Sequence, residues 1–150
     1  MIPLLLVAGL VCPVSGPNHV WDNYGEPRPN GRFHGGIDID AAQGTPLVAV
    51  ADGTVTGRQD WGGGGNTVLL QAGETVFFYA HLDQPTFRSN GEHVREGDVI
   101  GFVGDSGNAA TTHLHFSWYP RGRPGWTVDP YPLIAVCSTP KPRLSRFPRW

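Results

Sequence analysis

The sequence predicts a mainly β domain built from antiparallel sheets. Three observations carry that expectation. Glycine and proline number 21 and 14 among 150 residues, which excludes a helical bundle or coiled coil. Short Val/Ile/Leu/Phe runs recur between turn signals along the body of the chain. Five tryptophans, seven phenylalanines and 39% hydrophobic residues supply a core that a disordered Gly/Pro-rich chain lacks. The length is that of one domain.

After a Pro/Gly/Asn-rich entry at 13–36, residues 46–50 (PLVAV) and 54–55 flank Asp52-Gly53. This dipeptide accepts the positive φ angles of a tight turn, so a first hairpin is expected there. Residues 67–71 (TVLLQ) and 75–82 (TVFFYAHL) flank Ala72-Gly73-Glu74 and predict a second. Residues 99–103 and 112–118 (THLHFSW) flank a turn at 104–109. No stretch reads as an amphipathic helix. Tyr79, Trp118 and Trp126 are expected to pack.

The apolar run 1–11 (MIPLLLVAGLV) is far shorter than the roughly 20 residues that span a bilayer. It reads as the apolar part of a signal peptide without its basic leading segment, with cleavage after Gly9. Val11 is not small, so lipidation of Cys12 is not expected. The only cysteines, Cys12 and Cys137, bracket the patterned region, as one disulfide clasping an exported domain would. In the chain-entropy model such a loop of about 125 residues contributes roughly 5 kcal/mol; two buried thiols are the alternative. The expected layout is a signal-like segment at 1–11, a catalytic domain at 12–138 and a basic tail at 139–150, with an extracellular, cell-wall or periplasmic location.

Net charge is −2 and no basic stripe crosses the body of the chain, so no nucleic-acid footprint is visible. The tail carries Lys141, Arg143, Arg146 and Arg149 without an acidic residue. Such tails are by default solvated; the functional alternative is attraction to an anionic polymer. Gly62 to Gly65 lack the following Lys-Ser/Thr of a phosphate loop, so no nucleotide is expected and a flexible hairpin or a groove-edge loop is. A monomer is expected.

Six histidines are the informative excess. His113 and His115, two apart in a strand pattern, project to the same face of a sheet. His34 and Asp38 are four apart, about 13 Å if extended, but Gly35-Gly36 allows a bend between them. His81 ends a strand pattern. Imidazole and carboxylate donors suit Zn²⁺, whose catalytic sites use three protein ligands and keep one open position. His34, Asp38 and one of His113 and His115 would make that set. The two histidines left over would serve as general base and as oxyanion stabiliser or general acid. The ensemble describes amide hydrolysis. His19 and His93 lie in turn-rich segments and read as solvated.

HGGID at 34–38, YAHL at 79–82 and GFVGDSGNAATTHLHF at 101–116 resemble the lysostaphin/LytM-type peptidoglycan metallopeptidases. The resemblance also takes in CPVSGPNHVWDNYGEPR, GTPLVAVADGTV, GGNTVLL and VDPYP, and so covers about 12–137. It implies zinc on His34, Asp38 and His115, a catalytic pair of His81 and His113, and a duplicated-hybrid-motif β fold with its site in a groove over the sheet. It implies bacterial peptidoglycan as the partner, cut in its cross-links or stem peptides. Glycyl-glycine enzymes of this kind carry a tyrosine shortly before the first zinc ligand; here stand Arg28, Pro29 and Asn30, with Tyr24 further back. Pentaglycine is therefore not a firm expectation. The chain reads as a bare domain without a wall-binding module or propeptide.

Two rival readings are weaker. Gly104-Asp105-Ser106-Gly107 spells the surroundings of a serine-protease nucleophile, but nothing matching surrounds His81, and the resemblance makes Ser106 a turn residue. Some relatives of this type lose zinc ligands and activate other wall hydrolases. All five positions are filled here, which favours an enzyme over such a regulator.

Overall fold

The computed structural model describes residues 10–57, 62–134 and 137. Most of the signal-like segment and the whole basic tail lie outside those residues. The strands are β1 (His19–Val20), β2 (Pro27–Arg28), β3 (Arg32–Phe33), β4 (Ile37–Asp40), β5 (Pro46–Val48), β6 (Gly53–Gly57), β7 (Asn66–Ala72), β8 (Thr75–Leu82), β9 (His93–Val94), β10 (Val99–Phe102) and β11 (His113–Tyr119). One short helix, α1 (Tyr131–Ile134), follows. The mainly β, antiparallel expectation holds.

Seven strands form one sheet in the order β1-β4-β11-β8-β7-β6-β9, and every neighbouring pair is antiparallel. β5 pairs with β10, and β2 with β3, as separate two-stranded ribbons. Ile37 and Ile39 of β4, Phe77 and Tyr79 of β8, and Leu114 and Phe116 of β11 are fully buried on one face of the large sheet. With Leu47 and Ile100 of the small ribbon they belong to a single apolar core. The fully buried Tyr79 hydroxyl donates to Val48 O at 3.0 Å and accepts from Val50 N at 3.1 Å, tying the large sheet to the chain leaving β5.

The hairpin expected at Ala72-Gly73-Glu74 is β7–β8, with Gly73 at φ 63°. The hairpin expected at Asp52-Gly53 does not form. Residues 46–50 find their partners in 97–102 instead: β5 pairs with β10, and Ala49 exchanges main-chain hydrogen bonds with Asp98 and Gly97. β6 turns to β7 and β9. Burial of Val48, Ala49 and Val50 explains the choice, because the chain passes through the core as it moves from one sheet to the other. Likewise β10 and β11, on either side of the 104–109 turn, enter different sheets, and an isolated bridge joins Gly104, beyond the end of β10, to His113.

Tyr79 and Trp118 pack as expected, but Trp126 is 66% exposed, lying under the Arg121 guanidinium rather than in the core. Cys12 and Cys137 form the expected disulfide. Among the described residues no helix is long and apolar enough to cross a membrane.

Candidate metal centre and catalytic groove

Register builds the site. β4 alternates Ile37 and Ile39 toward the core with Asp38 and Asp40 toward the other face, because strand side chains alternate. Pairing sets Asp38 opposite His115, and His115 opposite Ala80 of β8. A row Asp38–His115–Ala80 thus crosses the sheet on the face away from the core. His113, two residues before His115, shares that face.

His34 precedes β4, and the Gly35-Gly36 bend folds its imidazole back onto the row. Its Nε2 lies 3.2 Å from Asp38 Oδ1 and 2.9 Å from His115 Nδ1. A side chain at Gly36 would collide with Phe116 O and Ser117 Oγ, so the bend requires glycine. His115 Nδ1 is 3.3 Å from Asp38 Oδ1, and His113 Nε2 is 3.6 Å from the same oxygen.

His81 reaches the groove by another device. Strict alternation would place it beside Tyr79 in the core. Instead, two residues of β7 from Asn66 to Val68 span three of β8 from Tyr79 to Leu82, so β8 carries a bulge. His81 takes φ 66°, a left-handed conformation uncommon outside glycine. Both Ala80 and His81 consequently line the groove. The His81 and His113 ring centroids lie 4.7 Å apart.

Hydrogen bonds fix the tautomers, since a carbonyl oxygen only accepts. His34 Nδ1 donates to Asn23 O at 2.9 Å, His81 Nδ1 to Ser106 O at 2.7 Å, and His113 Nδ1 to Thr111 O at 2.8 Å. In each neutral ring Nε2 is therefore the electron-pair side. His115 turns Nε2 toward Ser117 Oγ at 2.9 Å and Nδ1 toward Asp38. Burial alone would raise the Asp38 carboxyl, but His115, His34 in its protonated form and the Asn23 amide hold it well below the usual carboxylate range. Burial pushes His81 down to about 4, helped by the charges of His113 and His115 and opposed by the Ser106 bond. Burial also lowers His115.

The groove encloses about 690 Å³, and its walls include Arg28, Arg32 and Arg123. Gly63 and Gly64 edge it, as expected of the glycine loop. The Arg123 guanidinium lies 5.2 Å from the Phe78 ring and 5.0 Å from that of Tyr119. Tyr24 donates its hydroxyl to Thr127 O at 2.9 Å and is not among the lining side chains.

All five sequence-predicted residues thus meet in one place. Among them His34, Asp38 and His115 offer ligand atoms within 4.8 Å of one another. Their chemistry fits a zinc ion: two nitrogens and a carboxylate oxygen, partly buried, with one side open to the groove. The close approach of two imidazole nitrogens is unfavourable unless a proton or cation lies between them. His19 and His93 are exposed, as expected. Ser106 is no nucleophile: its hydroxyl donates to Leu82 O at 2.6 Å and accepts from Asn66 N at 3.0 Å. Sequence reasoning missed Asn23, whose position in a Pro/Gly/Asn-rich entry carries no signal.

Fold and site together define a β domain with a His/Asp/His centre at the floor of an open groove. Residues 32–130 match the model of peptidase family M23, and the chain belongs to that family. It is 40% identical over 116 residues to the DD-carboxypeptidase/endopeptidase Mpg of Neisseria meningitidis, covering 77% of this chain and 25% of that protein. To lysostaphin of Staphylococcus simulans it is 32% identical over 110 residues, covering 70% of this chain and 22% of that protein. This chain therefore spans about a quarter of the length of these relatives. The solved catalytic domain of lysostaphin superposes with a TM-score of 0.72 at 28% identity, covering 78% of this chain and 92% of that domain. The catalytic domain of the prophage-encoded M23 protein EnpA from Enterococcus faecalis gives 0.69 at 32%, covering 79% and 94%.

Proposed function

We propose that this domain is a zinc-dependent endopeptidase that hydrolyses peptide bonds in the cross-links or stem peptides of bacterial peptidoglycan, outside the cytoplasm. The observation that carries the reading is the convergence of His34, Asp38 and His115 beside two further imidazoles of fixed tautomer. Membership of family M23 and likeness to proteins named as endopeptidases, one of them as a peptidoglycan DD-endopeptidase, support the substrate class.

In this reading His34, Asp38 and His115 would hold the zinc. When bound, zinc supplies a Lewis acid that polarises the scissile carbonyl and makes water a stronger acid. His113 and His81 present Nε2 to the groove as acceptors. One of the two rings takes a proton from the attacking water, and the other, when protonated, gives one to the leaving amine. The open groove admits an extended peptide along the strand face. Tyr24 is held by Thr127 away from the groove wall, and Arg28 lines that wall, so pentaglycine is not part of the proposal.

The test incubates zinc-loaded protein with purified peptidoglycan beside a His113→Ala control and identifies fragments and new amino termini by mass spectrometry. Fragments released by the parent alone are expected. No fragments from several wall types, despite bound zinc, would overturn the enzymatic reading in favour of a wall-hydrolase regulator.

A further inference from the structure

Asn23 lies outside HGGID, YAHL and the H-x-H segment, yet it contacts two of the three converging ligands through three separate hydrogen bonds. Its main-chain carbonyl accepts Nδ1–H of His34 at 2.9 Å. Its side-chain Nδ2 donates to Asp38 Oδ2 at 2.9 Å. Its side-chain Oδ1 accepts the Asp38 main-chain N–H at 3.1 Å. The first bond fixes the tautomer and heading of His34, and the other two seat the Asp38 carboxylate and backbone together.

The division of Asp38 is the telling detail. Oδ1 faces the three imidazoles His34, His113 and His115, whereas Oδ2 faces Asn23 and, at 3.4 Å, Arg28. One oxygen is thereby left for a cation and the other is held from behind. His34 and Asp38 flank a diglycine, the most compliant backbone in the neighbourhood, so their mutual geometry needs an external anchor. Asn23, tied to the sheet by Trp21 N donating to Asp38 O at 2.9 Å, supplies it.

We infer that Asn23 is a positioning residue of the metal centre, one residue setting both His34 and Asp38 and thus the affinity for the cation. The inference rests on the zinc reading above. Outer partners of metal ligands typically change affinity by about 10- to 100-fold when removed, and no other residue contacts both ligands from outside the cluster among the bonds described.

The experiment titrates the metal-free protein, residues 1–150, with Zn²⁺ against a chromophoric chelator and records the visible spectrum of the Co²⁺ form. Asn23→Ala is expected to weaken zinc binding about 10- to 100-fold and to alter the cobalt bands, while the melting curve shows a folded protein. Should Asn23→Ala not fold, Asn23→Ser is read instead, with the same expectation; serine suits the start of a turn but has no amide to reach Asp38 Oδ2. Thr86→Ala removes a buried hydrogen bond to Ile100 O and is the control for general destabilisation. It should lower the melting temperature and leave zinc affinity within twofold. A folded Asn23 variant with parental affinity and cobalt spectrum overturns the inference alone. A parent protein that binds no zinc overturns the metal reading and the inference with it.

Discussion

The carbonyl of Ser106 accepts the Nδ1–H of His81 at 2.7 Å, across two segments 25 residues apart. The Ser106 hydroxyl also donates to the carbonyl of Leu82, the residue after His81. One serine therefore braces the single residue of β8 that adopts a left-handed backbone and holds its imidazole with the proton on Nδ1 and Nε2 toward the groove.

The burial of His81, which the Ser106 bond opposes, has a pH signature. The folded His81 pKa, about 4, lies below the ordinary 6.5. Between those values the unfolded chain binds more protons, so this contribution to stability is complete above about pH 6.5 and is lost as pH falls toward 4. Melting curves of metal-free protein from pH 7.5 to 4 should fall accordingly. His81→Asn, with a side chain that tolerates positive φ, should flatten the fall. An unchanged slope would show that other groups carry it.

His113 and His115 should separate by metal content. His115→Ala is expected to lose zinc, whereas His113→Ala keeps zinc and loses most turnover, by about 10²-fold or more. Metal analysis after gel filtration, paired with the peptidoglycan assay, decides it. Full activity in His113→Ala would sink the role assignment.

Gly36 should not accept even a methyl group. Gly36→Ala drives Cβ into Phe116 O, Ser117 Oγ and the His115 ring. We expect a loss of at least about 2 kcal/mol in stability, as for overpacked interiors, together with weaker zinc binding because His115 is displaced. Chemical denaturation and chelator competition measure the two effects. Parental values in both would refute the tight bend.

Tyr79→Phe tests the joint between the sheets. It removes a hydroxyl that satisfies both Val50 N and Val48 O in a fully buried setting. Two stranded main-chain groups should cost about 2–4 kcal/mol, read as a lower urea midpoint with an unchanged slope. A shift under about 0.5 kcal/mol would mean that the strand after β5 repairs its own bonds.

The sequence makes some of this plain and conceals the rest for physical reasons. H-x-H is legible because a period of two forces His113 and His115 onto one face, and the β7–β8 hairpin because Gly73 marks a short turn between two apolar runs. The Asp52-Gly53 hairpin misleads because local turn chemistry yields to distant partners: residues 97–102 offer the buried run 46–50 a better ladder. His81 is legible as a spare imidazole at a strand end and through the resemblance, but the device that turns it into the groove is not, since a bulge leaves no compositional trace. Asn23 is invisible because its role comes from bonds to residues 11 and 15 positions away.

The bulge in β8 makes the length of that strand as consequential as its composition. Deleting Ala80 would restore regular pairing with β7 and slide the imidazole into the position now held by Ala80, opposite His115 and out of its left-handed seat against Ser106, even though every side chain with chemistry survived. Insertions there would shift Leu82 away from the Ser106 hydroxyl. Variation in length along this chain should therefore be absorbed at distal turns such as Ala72-Gly73-Glu74 and be barred from the four residues that end β8.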